Sequence, residues 1–227
     1  MSNERKHPLK RRRTVYVIDD HPIVREGLTR LINGEPDLFV CGAAEDIYTA
    51  LRSMEILKPD IAIADISLKG PDGIELIKNL KNRMPGLPVL VLSIHDESIY
   101  APRALRAGAR GYIMKQEATE NVLVALRRVL AGEIYLSDRM ANKVLQQFVG
   151  AGGTSPRFPV DRLSDRELEV FRLIGQGHGT RRIAEELHLS VKTVESYREH
   201  IKEKMTLSDA SELVQHAIQW VEREKSQ

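Results

Sequence analysis

The sequence predicts a doubly wound α/β domain built on a five-stranded parallel sheet, followed by a small all-helical domain. Three observations carry that expectation. Five short runs, Thr14–Ile18, Leu38–Gly42, Ile61–Ala64, Val89–Leu92 and Gly111–Met114, are apolar almost throughout, as strands covered on both faces are. Amphipathic stretches lie between them, among them Ile23–Ile32, Ile74–Lys81 and Val122–Leu130, so strand alternates with helix. After Ala131 the alternation stops and only helical patterns follow.

Taken in order, the chain divides into a basic tail over 1–13, the α/β domain over 14–131, a linker over 132–160 and the helical domain over 161–227. The tail segment Lys10-Arg11-Arg12-Arg13 reads as a solvated overhang. In the linker, 138–149 reads as one amphipathic helix. Gly150-Ala151-Gly152-Gly153-Thr154-Ser155-Pro156 reads as a flexible join. Ser164-Asp165-Arg166-Glu167 is a capping box that opens a helix with Leu168, Phe171 and Ile174 inward, and the glycines at 175, 177 and 179 close it. Thr180–Leu187 is the next helix, His188-Leu189 the turn, and Ser190 the cap of a helix over Val191–Met205. On that helix Val191, Val194, Ile201 and Met205 form a core stripe, with Lys192, Glu195, Ser196, Glu199 and Glu203 opposite. A final helix over Asp209–Trp220 carries Leu213, Ala217 and Trp220 at helical spacing, with Val214 and Ile218 beside them.

Composition excludes several classes. Cys41 is the only cysteine, so neither a disulfide framework nor a thiolate zinc site is expected, and its apolar setting reads as a buried structural thiol. No apolar stretch approaches the roughly 20 residues of a membrane-spanning helix. Met1–Arg13 has no apolar run behind it, so no secretory leader is expected and the protein reads as cytoplasmic. The net charge of +2 is unevenly spread: the tail holds +5, the α/β domain and the helical domain about −2 each, and the linker +1. Overall charge therefore gives no support for a nucleic-acid partner.

Chemistry concentrates where the strands stop, the edge at which open α/β sheets bind ligands. Asp19 and Asp20 close the first strand, Asp65 the third and Ser93 the fourth, and Lys115 follows the fifth. Three carboxylates brought together repel unless a cation neutralises them. Magnesium suits such a site, because it takes a few carboxylates, keeps waters and bridges to phosphate oxygens. A lysine opposite offers a point charge to a phosphoryl group, and a serine hydroxyl can donate to its oxygens. In-line phosphoryl transfer onto a carboxylate asks for positioning and charge neutralisation and little else. Singly, an Asp-Asp cap, a turn serine or a surface lysine is ordinary; the constellation of five is not.

These residues, in this order, resemble the CheY-like receiver family over about 118 residues. The resemblance implies a flavodoxin-like fold in which Asp65 accepts a phosphoryl group from a sensor histidine kinase. It implies Mg2+ held by Asp20, Asp65 and the backbone carbonyl of Ser67, with Asp19 acting largely through water. Ser93 would turn toward the acyl phosphate, Lys115 would pair with it, and Tyr112 matches the aromatic whose rotation accompanies switching. Pro71-Asp72-Gly73 fits the loop after the acceptor. Two positions depart from the common pattern. Gln116 stands where many receivers have proline, so a cis bond would cost about 3 kcal/mol instead of about 1. Ile94 stands where a small residue is common, and its side chain is expected to shield the acyl phosphate.

Leu163–Met205 resembles the LuxR-type four-helix DNA-binding domain that follows receivers in the NarL/FixJ group, through Leu163-Ser164, Arg166-Glu167, Ile183-Ala184, Leu189-Ser190, Thr193-Val194, Ile201 and Lys204. The resemblance implies a recognition helix in the major groove of double-stranded DNA. Glu195, Ser196 and Glu199 would face bases, and Lys192, Thr193, Arg198 and Lys204 phosphates. Glutamate can accept from cytosine N4; as solvated helix charges, Glu195 and Glu199 would do nothing of the kind. The last helix would pair two copies on DNA, and the unphosphorylated receiver would cover the recognition helix. The whole reads as a two-component response regulator, not an enzyme beyond slow self-dephosphorylation. Against it stand a phosphorylation-independent DNA binder that uses its receiver for dimerisation or docking, and a magnesium phosphatase, for which Ser67 replaces the second aspartate.

Overall fold

The computed structural model describes residues 11–67, 73–142 and 159–225. Five parallel strands, β1 (Arg13–Ile18), β2 (Leu38–Ala44), β3 (Ile61–Ala64), β4 (Val89–Ser93) and β5 (Gly111–Met114), form one sheet in the order β2-β1-β3-β4-β5. The register pairs Val17 with Ile63, Ile63 with Leu90 and Val91 with Tyr112. Because side chains alternate along a strand, odd and even positions feed different cores. Val15, Val17, Ile61, Ile63, Leu90, Leu92 and Ile113 pack under α1 (Pro22–Asn33) and α5 (Ala118–Leu130). Tyr16, Ile18, Ala62, Ala64, Val89, Val91 and Tyr112 pack under α2 (Ile47–Leu57), α3 (Gly73–Arg83) and α4 (Glu97–Ala107). The five-stranded, doubly wound parallel sheet is thus as the sequence predicts, with β2 running two residues beyond expectation and β1 starting one earlier.

Chain order reverses between β1 and β3, so the carboxyl ends of these two strands flank the crevice where ligands bind in such folds. Local features hold the crevice open. His21 precedes a helix that starts on Pro22, where a fixed φ suits the first turn. Gly73 runs so close to the strand end that a Cβ there would lie 2.1 Å from Ile66 Cα, so no other residue fits. Peptide bonds among the described residues are all trans, and Lys115–Glu117 forms a single 3-10 turn after β5.

Arg12 and Arg13 do not behave as overhang. Arg13 opens β1 and pairs with Asp60 at 2.9 Å, and the Arg12 guanidinium donates to the carbonyls of Leu38 and Glu35 at 2.9 Å while lying over the Phe39 ring. Beyond α5 the chain returns to the sheet: Tyr135 pairs with Gly111, its N–H donating to Arg110 O and its carbonyl accepting from Tyr112 N. Residues 138–142 are helical, in agreement with the start of the expected linker helix. The remainder of that helix, the Gly/Ser/Pro join and Pro71-Asp72 lie outside the described residues.

The C-terminal domain opens with a 3-10 turn at Pro159–Arg162 and has four helices: α6 (Asp165–Gly175), α7 (Thr180–Glu186), α8 (Val191–Met205) and α9 (Ala210–Lys225). The Ser164/Glu167 capping box is fully formed, and Ser190 caps α8 through Thr193 N–H at 3.0 Å. The three glycines do separate jobs rather than jointly ending α6. Gly177 takes φ +84°, Gly179 precedes α7 with φ −75°, and Gly175 sits at the crossing with α9, where a Cβ would be 2.3 Å from Ala217 O. The last helix runs five residues past Trp220, because Val221 extends the Leu213/Ala217 stripe and is buried.

Candidate functional site

The five predicted residues converge. Asp65 follows β3, buried, with its N–H donating to Ile18 O at 2.8 Å, which ties the ends of β1 and β3 together. Its Oδ1 accepts from Ser67 N–H at 2.7 Å and its Oδ2 lies 2.7 Å from Lys115 Nζ. Lys115 reaches across from β5 and also stands 2.7 Å from Asp19 Oδ2, so one ammonium bridges two buried carboxylates. Burial alone would lower the Lys115 pKa, but hydrogen bonds and charge from Asp19 and Asp65 together outweigh it and the net shift is upward. Lys115 is therefore firmly cationic.

Asp19 is locked in place by further contacts. Its Oδ1 accepts from His21 N–H at 2.8 Å, its carbonyl accepts from Arg25 at 2.6 Å, and its N–H donates to Ala44 O at 3.1 Å. Asp20 is different. Its Oδ1 is buried yet receives no hydrogen bond, with the His21 ring Nδ1 2.8 Å away. Asp19, Asp20, His21 and Asp65 offer ligand atoms all within 4.8 Å of one another. An orphaned carboxylate oxygen among three acids fits a hard, oxygen-seeking cation. His21 is an addition that sequence reading missed, although it directly follows the acidic pair.

Ser93 ends β4, fully buried. Its Oγ accepts from His95 N–H at 3.1 Å and lies 3.4 Å from Ser67 Oγ. Tyr112 is buried on β5 with its hydroxyl donating to His95 O at 2.8 Å, so the ring points inward. His95 stacks on Tyr100 of α4 at 4.5 Å between centroids. Ile94, by contrast, is 55% exposed beside this buried network.

On α8, Lys192, Glu195, Ser196, Glu199 and Lys204 are exposed and Thr193 and Arg198 are half-buried. Thr193 is held in the cap, its hydroxyl 2.7 Å from Ser190 Oγ, and Ser196 Oγ donates to Lys192 O at 3.1 Å. Glu199 pairs with Lys202 at 2.8 Å. Burial lowers the Arg198 pKa. Lys204, expected near phosphate, is instead held by both oxygens of the buried Glu167, at 2.8 and 2.6 Å. Among the described residues none is seen to cover the outer face of α8, whose Lys192, Glu195, Ser196 and Glu199 are exposed. The receiver instead meets the start of the helical domain, where Asp165 binds Lys78 and Arg103 at 3.0 Å each and Arg103 also donates to Val160 O. These partners lie 62 or 87 residues apart in the chain, and no local signal marks them.

A parallel doubly wound sheet with three acids and a lysine at its carboxyl edge, joined to a helix-turn-helix domain, defines a class. The chain belongs to the two-component response regulators of the NarL/FixJ type, in which a receiver is joined to a LuxR-type DNA-binding domain. Residues 15–127 match the response regulator receiver domain, and 161–217 match the bacterial regulatory proteins of the luxR family. Among relatives, the oxygen regulatory protein NreC of Staphylococcus carnosus is 35% identical over 208 residues, 90% of this chain and 96% of NreC. RcsB of Salmonella enterica serovar Typhimurium, bound to promoter rprA with phosphomimetic BeF3−, is 28% identical over 91% of this chain and 98% of its own, with a TM-score of 0.65. A second RcsB structure, 26% identical over 92% of this chain and 98% of its own, superposes with a TM-score of 0.70.

Proposed function

We propose that Asp65 accepts a phosphoryl group from a sensor histidine kinase, and that this controls binding of the helical domain to double-stranded DNA as a homodimer in the cytoplasm. The observation that carries the reading is the bridge of Lys115 to Asp65 and Asp19, 2.7 Å each, beside an acidic cluster with an orphaned oxygen. Asp20 and Asp65, with the Ser67 carbonyl, would hold Mg2+, and Asp19 would act nearby through water. The bound ion would neutralise charge on the transferred group.

The chain's own residues do the rest. A carboxylate oxygen of Asp65 forms a bond to phosphorus as the phosphorus–nitrogen bond of the donor phosphohistidine breaks, and the imidazole leaves. Lys115, already cationic, moves from ion-pairing the carboxylate to ion-pairing the phosphoryl oxygens. Ser93 exchanges His95 N–H for the acyl phosphate, donating its hydroxyl proton as a hydrogen bond. That move disturbs the His95 segment that anchors Tyr112 and begins α4. No turnover of an external substrate is invoked, only slow hydrolysis of the acyl phosphate. No helix among the described residues is long and apolar enough to cross a membrane.

On DNA, the open face of α8 would enter the major groove with Lys192, Thr193 and Arg198 toward phosphates and Glu195, Ser196 and Glu199 toward bases. RcsB, a relative over most of the chain, has been solved bound to promoter DNA. The test is intact-protein mass after incubation with acetyl phosphate and Mg2+, beside Asp65→Asn. One phosphoryl adduct on the native protein only, lost with EDTA, is expected. An adduct on Asp65→Asn would move the acceptor elsewhere. DNA binding that is the same for the native protein and Asp65→Asn in either condition would favour the phosphorylation-independent regulator.

A further inference from the structure

Between α3, α4 and the start of α6 lies a cavity of about 350 Å³ lined by Lys78, Lys81, Asn82, Arg103, Arg106, Ala107 and Asp165. Four cations face one carboxylate. Asp165 divides its two oxygens, Oδ1 to Arg103 and Oδ2 to Lys78, each at 3.0 Å, while Arg103 is only 7% exposed. Among the described residues Lys81 and Arg106 engage no carboxylate. Lys81 runs its stem across Gly108, so that a Cβ there would sit 2.5 Å from Lys81 Cδ. Lys81 and Arg106 also lie in the last turns of α3 and α4, where each helix dipole contributes about half a negative charge. Even after that offset, and with Glu75 3.9 Å from Lys78, the cavity keeps an excess of roughly one positive charge.

We propose that this cavity is a binding site for a multivalent phosphate anion of the pyrophosphate class, and that the anion competes there with Asp165. The seat already recognises an anion, since a carboxylate is held in it by two cations with hydrogen-bond geometry. Asp165 is tethered, so it competes at an effective concentration on the order of millimolar. A single free carboxylate cannot outcompete it at ordinary concentrations. An oxyanion with two or more charges can, because it engages Lys81 and Arg106 as well as the Asp165 seat. Its binding removes the ion pairs that hold the helical domain against the receiver. This site is independent of Asp65 chemistry.

The probe is pyrophosphate, titrated into the full chain in magnesium-free buffer by calorimetry. Asp165→Asn, which removes the internal competitor, should bind it at least about tenfold more tightly than the native chain. Lys81→Ala with Arg106→Ala should bind it at least about tenfold more weakly, since both charged hydrogen-bond donors beyond the Asp165 seat are removed. Small-angle scattering should show the native chain expanding as pyrophosphate is added and Asp165→Asn expanded from the start. Absence of binding by both the native chain and Asp165→Asn would overturn the proposal, as would equal affinities across the variants. Loss of affinity for a random-sequence duplex in the double variant, without any pyrophosphate binding, would assign these cations to a nucleic-acid backbone and overturn it too. Should the double variant fail to fold, the gain expected of Asp165→Asn still decides.

Discussion

Glu97, at the start of α4, grips Ser137, where the linker leaves the sheet: one carboxylate oxygen accepts the Ser137 N–H at 2.9 Å and the other its hydroxyl. Glu97 is buried, and Ser137 Oγ in turn accepts from Met140 N–H at 3.1 Å. The residue two positions earlier, His95, receives the Tyr112 hydroxyl. Tyr112, the start of α4 and the linker are therefore connected through hydrogen bonds at His95, Glu97 and Ser137. Glu97→Gln keeps the volume and removes the charge. It should loosen the 137–142 segment, seen as faster amide exchange at Met140, and raise DNA affinity of the unphosphorylated protein severalfold. Unchanged exchange at Met140 would dissociate α4 from the linker.

Ile94 directly follows Ser93 in the chain and is 55% exposed. Shielding the acyl phosphate from water is its expected effect. Ile94→Ala should shorten the phosphoryl lifetime severalfold with stability nearly unchanged, because an exposed side chain contributes little to folding. Phosphate release from the acetyl-phosphate-labelled protein measures it, and equal rates would dismiss the shield.

Gly73 leaves no room for a Cβ against the backbone of Ile66, the residue after Asp65. Gly73→Ala should cost about 2–3 kcal/mol through overpacking, read as a lower urea midpoint. It should also slow phosphorylation of the folded fraction, because the backbone must shift beside Asp65.

Glu167 links three parts of the helical domain: the Ser164 cap, α6 and Lys204 of α8. Burial pushes its carboxyl up, but Lys204 and Ser164 outweigh that and hold it below the ordinary glutamate value. A carboxyl lowered in the folded state contributes stability above its unfolded pKa and loses it as pH falls through the folded one. The native protein should exceed Glu167→Gln by about 2 kcal/mol at neutral pH, and the gap should close below roughly pH 4. A gap that widened on acidification would reverse the sign of the linkage.

The two α8 glutamates expected to face bases, Glu195 and Glu199, are not equivalent. Glu199 is paired with Lys202, whereas Glu195 is exposed and has no ion-pair partner among the described residues. If one of them reads cytosine, it is Glu195, and Glu195→Ala should relax preference at one base pair by about 1–3 kcal/mol while Glu199→Ala leaves the selected sequence intact. Selection from a random duplex library distinguishes them.

Strand positions were legible because burial on both faces leaves uninterrupted apolar runs, and the five site residues because each directly ends or follows such a run. Short-range motifs such as the Ser164 box and the Ser190 cap were equally plain. What stayed hidden depends on distance along the chain. Asp165 reads as a helix-start acid and Arg103 as one more arginine on α4; only the docking of the two domains makes them partners. The pairing of Lys204 with Glu167 was hidden for the same reason, since Glu167 lies 37 residues earlier. His21 could have been noticed, being adjacent to two acids, but a histidine before a proline also reads as an ordinary helix entry.

The return of Tyr135 to β5 has a further effect. An outer strand in a parallel sheet exposes a row of amide and carbonyl groups that invites a strand from another molecule. Here the same chain fills part of that row at Arg110 and Tyr112, and Arg12 spans the carbonyls at the opposite border of the sheet, beside β2. Self-association by sheet extension is thus discouraged at both borders, which leaves helical surfaces as the places where two copies of this regulator can recognise each other.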